Sequence, residues 1–254
     1  MNAEAAVIGG VGFDVDGLAD EIETAYGKVK VEFTRFKGHR VVFIPRHGED
    51  HLPPHRVNYR AIISAAKKSG SVQVISINTV GSMSCHPIGS LFLPFDFVEF
   101  TRSRPNTFFE DRAVHVDMSN PYCPELRSRL AHAIREMGLT HYEGVYACAE
   151  GPHLESPAQI RMMRQFGDVV GMTGYPEVVL AKEAGLCYAS LCIVTNPACG
   201  MAGGLTLKVS DISELMKSSS ETVREIVSLA VQKKSSEGSC TSCACRDALA
   251  GAKL

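Results

Sequence analysis

The sequence has almost no surplus of charge. Its 26 lysines and arginines stand against 28 aspartates and glutamates, a formal net charge of −2. That balance excludes a long-range pull toward nucleic acid or an anionic membrane. An anionic substrate must then be caught by a local cluster of positive charge. No apolar run is long enough to span a bilayer. Met1 to Gly10 lacks a basic region, an apolar core and a cleavage site, so no signal peptide is read there. These absences predict a cytoplasmic protein with neither nucleic acid nor membrane as partner. No internal repeat and no dividing linker is seen, so residues 1–254 read as a single domain. With 254 residues, 45% of them hydrophobic, the chain is long enough to bury a sizeable core.

The cysteines number nine, and a paired framework would need an even count. Cys85, Cys123, Cys148, Cys187, Cys192 and Cys199 are scattered, mostly in apolar stretches, and read as reduced core residues. Cys240, Cys243 and Cys245 fall in a short extension over residues 236–254. No second cysteine pair or histidine pair follows at zinc spacing. A disulfide or a set of thiols is therefore favoured there, and no metal is expected. Ser235 to Ser242 reads as a joint to a short terminal helix.

What the chain does have is a series of apolar strands that end in polar or glycine-rich tips. Cys192 to Gly204 is the organising stretch: an apolar strand that breaks at Thr195-Asn196-Pro197 into a glycine-rich loop. Strands of an α/β sheet deliver polar groups at their carboxyl ends, where ligands sit. The Asn196 amide offers a donor and an acceptor and can read a flat heterocycle carrying one of each. Asn-Pro is also a common turn starter, and taken alone this stretch reads first as a turn. Ala5 to Gly10 is a short strand running into Gly9-Gly10-Val11-Gly12, where exposed N–H groups favour anions. The Rossmann spacing is not met. Val31–Phe36 and His39–Pro45 form a hairpin through Lys37-Gly38, and the second strand ends in Arg46-His47. Arg46 is a charged fork that matches phosphate, and His47 adds a donor. A solvated charge cluster ranks second there, and a metal on His47 and His51 third.

Further tips follow. Asn58–Ser69 reads as a helix, and the strand Val72–Ile77 ends in Asn78-Thr79-Val80-Gly81-Ser82. Leu91–Phe100 is a strand. Thr101–Tyr122 is irregular and long, as functional loops are. Pro124–Met137 is a helix. The strand Val145–Ala149 ends in Glu150 to Glu155, and Ser156 caps a helix with Pro157 at its first position. Asp168–Met172 is a strand with Thr173 at its tip. The helix Glu177–Ala184, the strand Cys187–Thr195 and the helix Val209–Lys234 complete the fold. This alternation predicts an α/β protein, a three-layer α/β/α sandwich with a central mixed sheet, and one pocket at the strand ends.

Over nearly its whole length the chain resembles the trimeric purine nucleoside phosphorylase and methylthioadenosine phosphorylase family. The matching segments are Ile8-Gly-Gly-Val-Gly-Phe13, Pro45-Arg-His-Gly48, Val57-Asn-Tyr-Arg-Ala61, Asn78-Thr-Val-Gly-Ser82, Arg104-Pro-Asn-Thr-Phe108, Pro121-Tyr-Cys-Pro124 and Glu150-Gly-Pro152. The most specific is Gly171-Met-Thr-Gly-Tyr-Pro-Glu-Val-Val-Leu-Ala-Lys-Glu-Ala-Gly185. Cys243-Ala-Cys245 also resembles family members, in some of which, from thermophiles, these cysteines are oxidised.

The resemblance implies a phosphorylase-like fold and reversible phosphorolysis of purine nucleosides, with phosphate as co-substrate and no metal or organic cofactor. It implies a homotrimer or a dimer of trimers. The implied phosphate site is Gly10, Val11, Arg46, His47, Asn78, Thr79 and Thr173. Met172 would lie under the ribose, and His115 would reach a neighbouring subunit's pocket. Asn196 and Ala198 fall on the base-reading loop, and Val80, Gly81, Leu154, Thr195 and Pro197 complete the substrate pocket. Catalysis would rest on Asn196, Glu155 and His47.

Three positions depart from the family pattern. Val11 stands where a serine or threonine is usual, which removes one hydroxyl from the phosphate. Asn196 and Ala198 stand where adenosine-type members carry aspartates. An asparagine can donate to a 6-oxo group and accept from N7–H, and Glu155 can accept N1–H, so hypoxanthine or guanine is favoured over adenine. Val209 and Ile212, one helical turn apart, suit a 5′-methylthio group; facing the core suits them equally. The expected reaction is conversion of S-methyl-5′-thioinosine and phosphate to hypoxanthine and 5-methylthioribose 1-phosphate. Inosine and guanosine are the alternative substrates, and a hydrolase or a non-catalytic nucleoside-binding protein stands further off.

Overall fold

The computed structural model describes residues 2–10, 12–201, 209–232 and 243–252. Among the described residues, nine strands form one mixed sheet: β1 (Ala5–Gly9), β2 (Leu18–Thr24), β3 (Gly27–Phe36), β4 (His39–Pro45), β5 (Gln73–Ser82), β6 (Leu91–Phe100), β7 (His141–Ala149), β8 (Val169–Gly171) and β9 (Cys187–Pro197). Their order is β2-β3-β4-β1-β5-β8-β7-β6-β9. β1 runs parallel to β4 and β5, while β3 pairs antiparallel with β2 and β4. β5 also pairs with β9, so β5, β8, β7, β6 and β9 close into a ring. The alternating sequence showed the mixed sheet, but not this closure, which needs pairings far apart in the chain.

Among the described residues, five α-helices cover the sheet: α1 (Tyr59–Lys68), α2 (Pro124–Glu136), α3 (Pro157–Met163), α4 (Gly174–Glu183) and α5 (Val209–Gln232). α1 packs beside α4 on one face, over Ile8, Ile63, Val178 and Leu186. α2 packs beside α5 on the other, over Val7, Ile75, Leu130 and Ile226. Each such aliphatic side chain contributes about 1.5–3 kcal/mol by leaving water. The apolar spacing read from the sequence is what points these residues inward. Asn58 caps α1 by accepting from the Ala61 N–H. Ser156 and Gln159 form a reciprocal capping box on α3 behind Pro157.

Several boundaries differ from the sequence expectation. β2 is an added edge strand whose residues are mostly exposed, so it carries no buried alternation to read. The tip Asn78–Ser82 is not a loop: β5 runs through it, held by β9 across a bulge between Val80 and Gly81. Non-helical Tyr175 interrupts the start of α4, so the regular helix begins after it, near the expected Glu177. The expected terminal helix is instead a run of i→i+3 turns over the described residues 244–252. The long stretch from Thr101 to Tyr122 is irregular as expected, but it is tied down. Thr107 and Phe108 donate to Glu183, Asn106 donates to the Tyr175 hydroxyl, and Lys182 donates to the Asn120 carbonyl.

Candidate active site

Six segments following or ending strands converge on one cavity of about 340 Å3. β1 leads to Gly10, β4 to Arg46 and His47, and the end of β5 supplies Thr79, Val80 and Gly81. The loop after β7 brings Leu154 and Glu155, β8 leads to Met172 and Thr173, and β9 brings Thr195, Asn196 and Ala198. Ile212, in the first turn of α5, completes the wall. Most residues expected at the site thus share one cavity, as the single-pocket arrangement requires.

One end of the cavity is built on a buried ion pair. Arg46 Nε donates to Glu177 Oε1 at 2.5 Å and Nη2 to Oε2 at 3.3 Å. The two side chains are 1% and 0% exposed. Nη2 also donates to Ser76 Oγ at 2.6 Å, and Nη1 donates to the Ile77 carbonyl at 3.0 Å. Four of the five N–H donors are therefore engaged within the protein. This corrects the expectation of an open fork: one Nη1–H is left without a partner among the described residues. Burial works against the Arg46 charge, but Glu177 outweighs it and holds the pKa above the ordinary arginine value. A Cβ on Gly10 would sit 3.0 Å from Nη1, so glycine is what lets the first loop lie against the cation.

Asn78 also acts from behind the wall. Its Nδ2 donates to Ser76 Oγ and Ser190 Oγ, and its Oδ1 accepts from Thr173 Oγ1 at 2.7 Å. It is buried and does not line the cavity, so its direct place at the phosphate is corrected to orienting Thr173. Thr79 is half-buried and lines the cavity. His47 Nδ1 lies 2.7 Å from the Leu52 carbonyl. A carbonyl only accepts, so Nδ1 carries the proton and Nε2 is the nitrogen left over. Burial, and then the Arg46 charge, lower the His47 pKa. The neutral ring therefore presents Nε2 as an acceptor, where the sequence reading made it a donor.

The other end is built for a heterocycle. Asn196 Nδ2 donates to the Pro197 carbonyl at 2.8 Å, and its Oδ1 accepts from Thr195 Oγ1 at 2.9 Å. These bonds fix the amide and leave one N–H and one oxygen lone pair. A Cβ on Gly81 would lie 3.0 Å from Asn196 Nδ2, so glycine there lets the amide seat. Glu155 is 7% exposed and its Oε1 is buried with no hydrogen-bond partner among the described residues. Burial raises its pKa, opposed by a backbone hydrogen bond and the nearby His153. A buried acceptor without a donor is unfavourable by about 1–3 kcal/mol until a ligand supplies one.

Other expected residues fall elsewhere. Pro197 holds Asn196 through its carbonyl and does not line the cavity. His115 is exposed and outside this chain's cavity; its N–H donates to the Ala252 carbonyl. Glu150 turns away to Arg102 and Arg104. Val11 and the Val209 side chain lie outside the described residues, as does Cys240. Sequence reasoning did not assign His51, Leu52, Pro53, Pro54, Pro152, Val170, Gly171 and Cys199, all of which line the cavity. Their signal was adjacency: each lies close to a residue already singled out. Arg104 was also missed as a positioning residue. It donates to the carbonyls of Ala149, Glu150, Met172 and Tyr175, and so ties β7 to the Met172 tip.

Known proteins can now be set beside this geometry. The phosphorylase superfamily model matches residues 4–232. A protein of Methanosarcina acetivorans named "Probable S-methyl-5'-thioinosine phosphorylase" is 51% identical, over 99% of this chain and 97% of its own. The "6-oxopurine nucleoside phosphorylase" of Pyrococcus furiosus is 40% identical, over 97% and 98%. Among solved structures, methylthioadenosine phosphorylase from Schistosoma mansoni in complex with adenine superposes with a TM-score of 0.91 at 27% identity, covering 100% of this chain and 99% of the other. By the extent of that match, and by strand ends that meet in one cavity as the motifs anticipate, the chain belongs to the phosphorylase superfamily.

Proposed function

We propose that this protein is a pentosyltransferase of the purine nucleoside phosphorylase type. It catalyses reversible phosphorolysis of 6-oxopurine nucleosides, foremost S-methyl-5′-thioinosine, to hypoxanthine and 5-methylthioribose 1-phosphate. Breaking the N-glycosidic bond leaves positive charge on the sugar and negative charge on the purine. Phosphate beneath the sugar stabilises the first and attacks the anomeric carbon. A donor or proton at N7 stabilises the second. Both are preorganised electrostatics.

The observation that carries the base assignment is the unpartnered Glu155 Oε1 in the same cavity as Asn196. Glu155 accepts N1–H of a 6-oxopurine. Asn196 donates to O6 and accepts from N7–H. Adenine carries no hydrogen on N1 and would leave Glu155 without its donor. The phosphate is held by Gly10, Val11, Thr79, Thr173, the remaining Arg46 Nη1–H and His47. Hydrogen phosphate fits a neutral His47, because its own hydroxyl donates to Nε2. Phosphate is a co-substrate and the reaction calls on no cofactor. Ile212 forms the apolar 5′ wall of the cavity that Met172 also lines, and Val209 is assigned to the same 5′ group from the sequence alone. Residues 1–254 act as one phosphorylase domain with 236–254 as a short extension. The working unit is a homotrimer or a dimer of trimers in which His115 serves a neighbouring cavity.

Four nucleosides assayed with and without phosphate test this reading: methylthioinosine, inosine, guanosine and methylthioadenosine. The reading expects phosphate-dependent release of hypoxanthine, fastest from methylthioinosine. Equal or faster cleavage of methylthioadenosine overturns the base assignment. Release that continues without phosphate overturns the phosphorylase in favour of a hydrolase.

A further inference from the structure

Four cysteines from three distant stretches of the sequence meet on the side of the sheet covered by α2 and α5. Cys123 is the N-cap of α2, Cys187 opens β9, and Cys243 and Cys245 come from the terminal extension. Their sulfurs all lie within 4.8 Å of one another. Cys187 Sγ and Cys243 Sγ are 3.3 Å apart, and the buried Cys245 thiol completes the group. Cys123, Cys187 and Cys245 are buried in the same apolar core as Leu126, Leu130 and Ala189, with Cys243 packed against it. The sequence reading found no second pair for Cys243-Ala-Cys245 because that pair is made by residues 64 positions apart, Cys123 and Cys187.

We propose that these four thiolates form a structural site for one soft divalent ion, zinc, which fastens the terminal extension to the catalytic domain. A disulfide engages two sulfurs and leaves the others as bystanders, whereas here four sulfurs share one cluster within 4.8 Å. A zinc tetrathiolate with bonds of about 2.3 Å has sulfur–sulfur edges of about 3.8 Å, within the spread seen here. Loading the ion displaces four thiol protons and leaves a net charge of −2 on the site. The N-terminus of the 13-residue α2 begins at Cys123, and its N–H groups favour that charge. The extension is also shaped to dock. A Cβ on Gly185 would lie 3.2 Å from the Arg246 carbonyl oxygen, so glycine admits that backbone. Beyond the cysteines, the Ala252 carbonyl accepts from the His115 N–H. The site therefore joins three segments: the start of α2, the start of β9 and the tail that abuts the His115 loop.

The test uses the full-length protein, purified under reducing conditions without chelator, and needs no activity measurement. After exchange against zinc and removal of the excess, about one equivalent per chain is expected by elemental analysis. Replacing zinc with Co2+ is expected to give the intense visible bands of a tetrahedral thiolate complex. Those bands should vanish in Cys123→Ser and Cys245→Ser and persist in Cys85→Ser, whose position is exposed. If the serine variants do not fold, the Co2+ spectrum of the unaltered protein and protection of four thiols from an aromatic disulfide reagent decide. Zinc below about half an equivalent, no thiolate bands, or an intact mass showing a disulfide within the cluster would each overturn the site.

Discussion

Glu155 holds its carboxyl where charge is disfavoured. Burial raises its pKa above the ordinary 4.5, so in the window above that value part of the population is protonated when the cavity is empty. A purine N1–H donates most strongly to the ionised form. Hypoxanthine binding is then coupled to proton release, and affinity should fall as pH falls through that window. Calorimetry in buffers of different ionisation enthalpy checks this. For stability the sign is the same as for any raised carboxyl: its contribution is present below about 4.5 and lost as pH rises through the raised value. His47 has the opposite sense. Its lowered pKa contributes stability above its ordinary 6.5, which is lost as pH falls through the lowered value. Glu155→Ala leaves N1–H unpaired and should lower kcat/KM for methylthioinosine roughly 5- to 150-fold, equivalent to about 1–3 kcal/mol. Asn196→Asp replaces the donor to O6 by an acceptor. It should shift the ratio of kcat/KM values toward methylthioadenosine, read by base release from the two nucleosides in competition.

Single elements are held in place by groups that no local pattern displays. Arg46 follows β4 and Glu177 lies on α4, 131 residues away, and together they fix that helix against the sheet beneath the cavity. Glu177 was legible as an acidic residue in the first turn of a helix; its partner was not. Ser76 and Tyr188 add further donors to the same carboxylate, at 2.7 and 2.9 Å. Glu177→Ala removes one half of a buried pair, for which a loss of about 3–5 kcal/mol is expected. Thermal unfolding should show a large drop in Tm, and an unchanged Tm would contradict this reading of the pair. The strands were legible wherever an apolar run stopped at a polar or glycine tip, as at Arg46, Thr173 and Asn196. β2 was not, because an exposed edge strand carries no hydrophobic signature. The passage of β5 through Asn78 was hidden because β9 supplies the pairing.

At the scale of the whole molecule, the alternation of strands and helices was enough for the α/β class and the mixed sheet, and the motifs were enough for the family. Two things depended on distant contacts and were hidden: the closure of β5 onto β9, and the direction each polar tip faces. Asn78 and Pro197 were drawn into the site by their place at strand ends, yet they act from behind it or beside it. His115 lies away from its own cavity, and the proposed function has it serve a neighbour in an oligomer. Light scattering should therefore give a mass of three or six chains. His115→Ala should raise KM for methylthioinosine while leaving that mass unchanged. Mixed oligomers of His115→Ala with Thr173→Ala should recover part of the activity that each variant lacks.

A crystal soaked with hypoxanthine and sulfate tests the central claim most directly, because it reads both ends of the cavity at once. Glu155 Oε1 is expected at hydrogen-bond distance from N1, with Asn196 bridging O6 and N7, and sulfate beside Gly10, Thr79, Thr173 and Arg46 Nη1. A base that leaves Glu155 without a donor, or a sulfate bound away from Arg46, would contradict it.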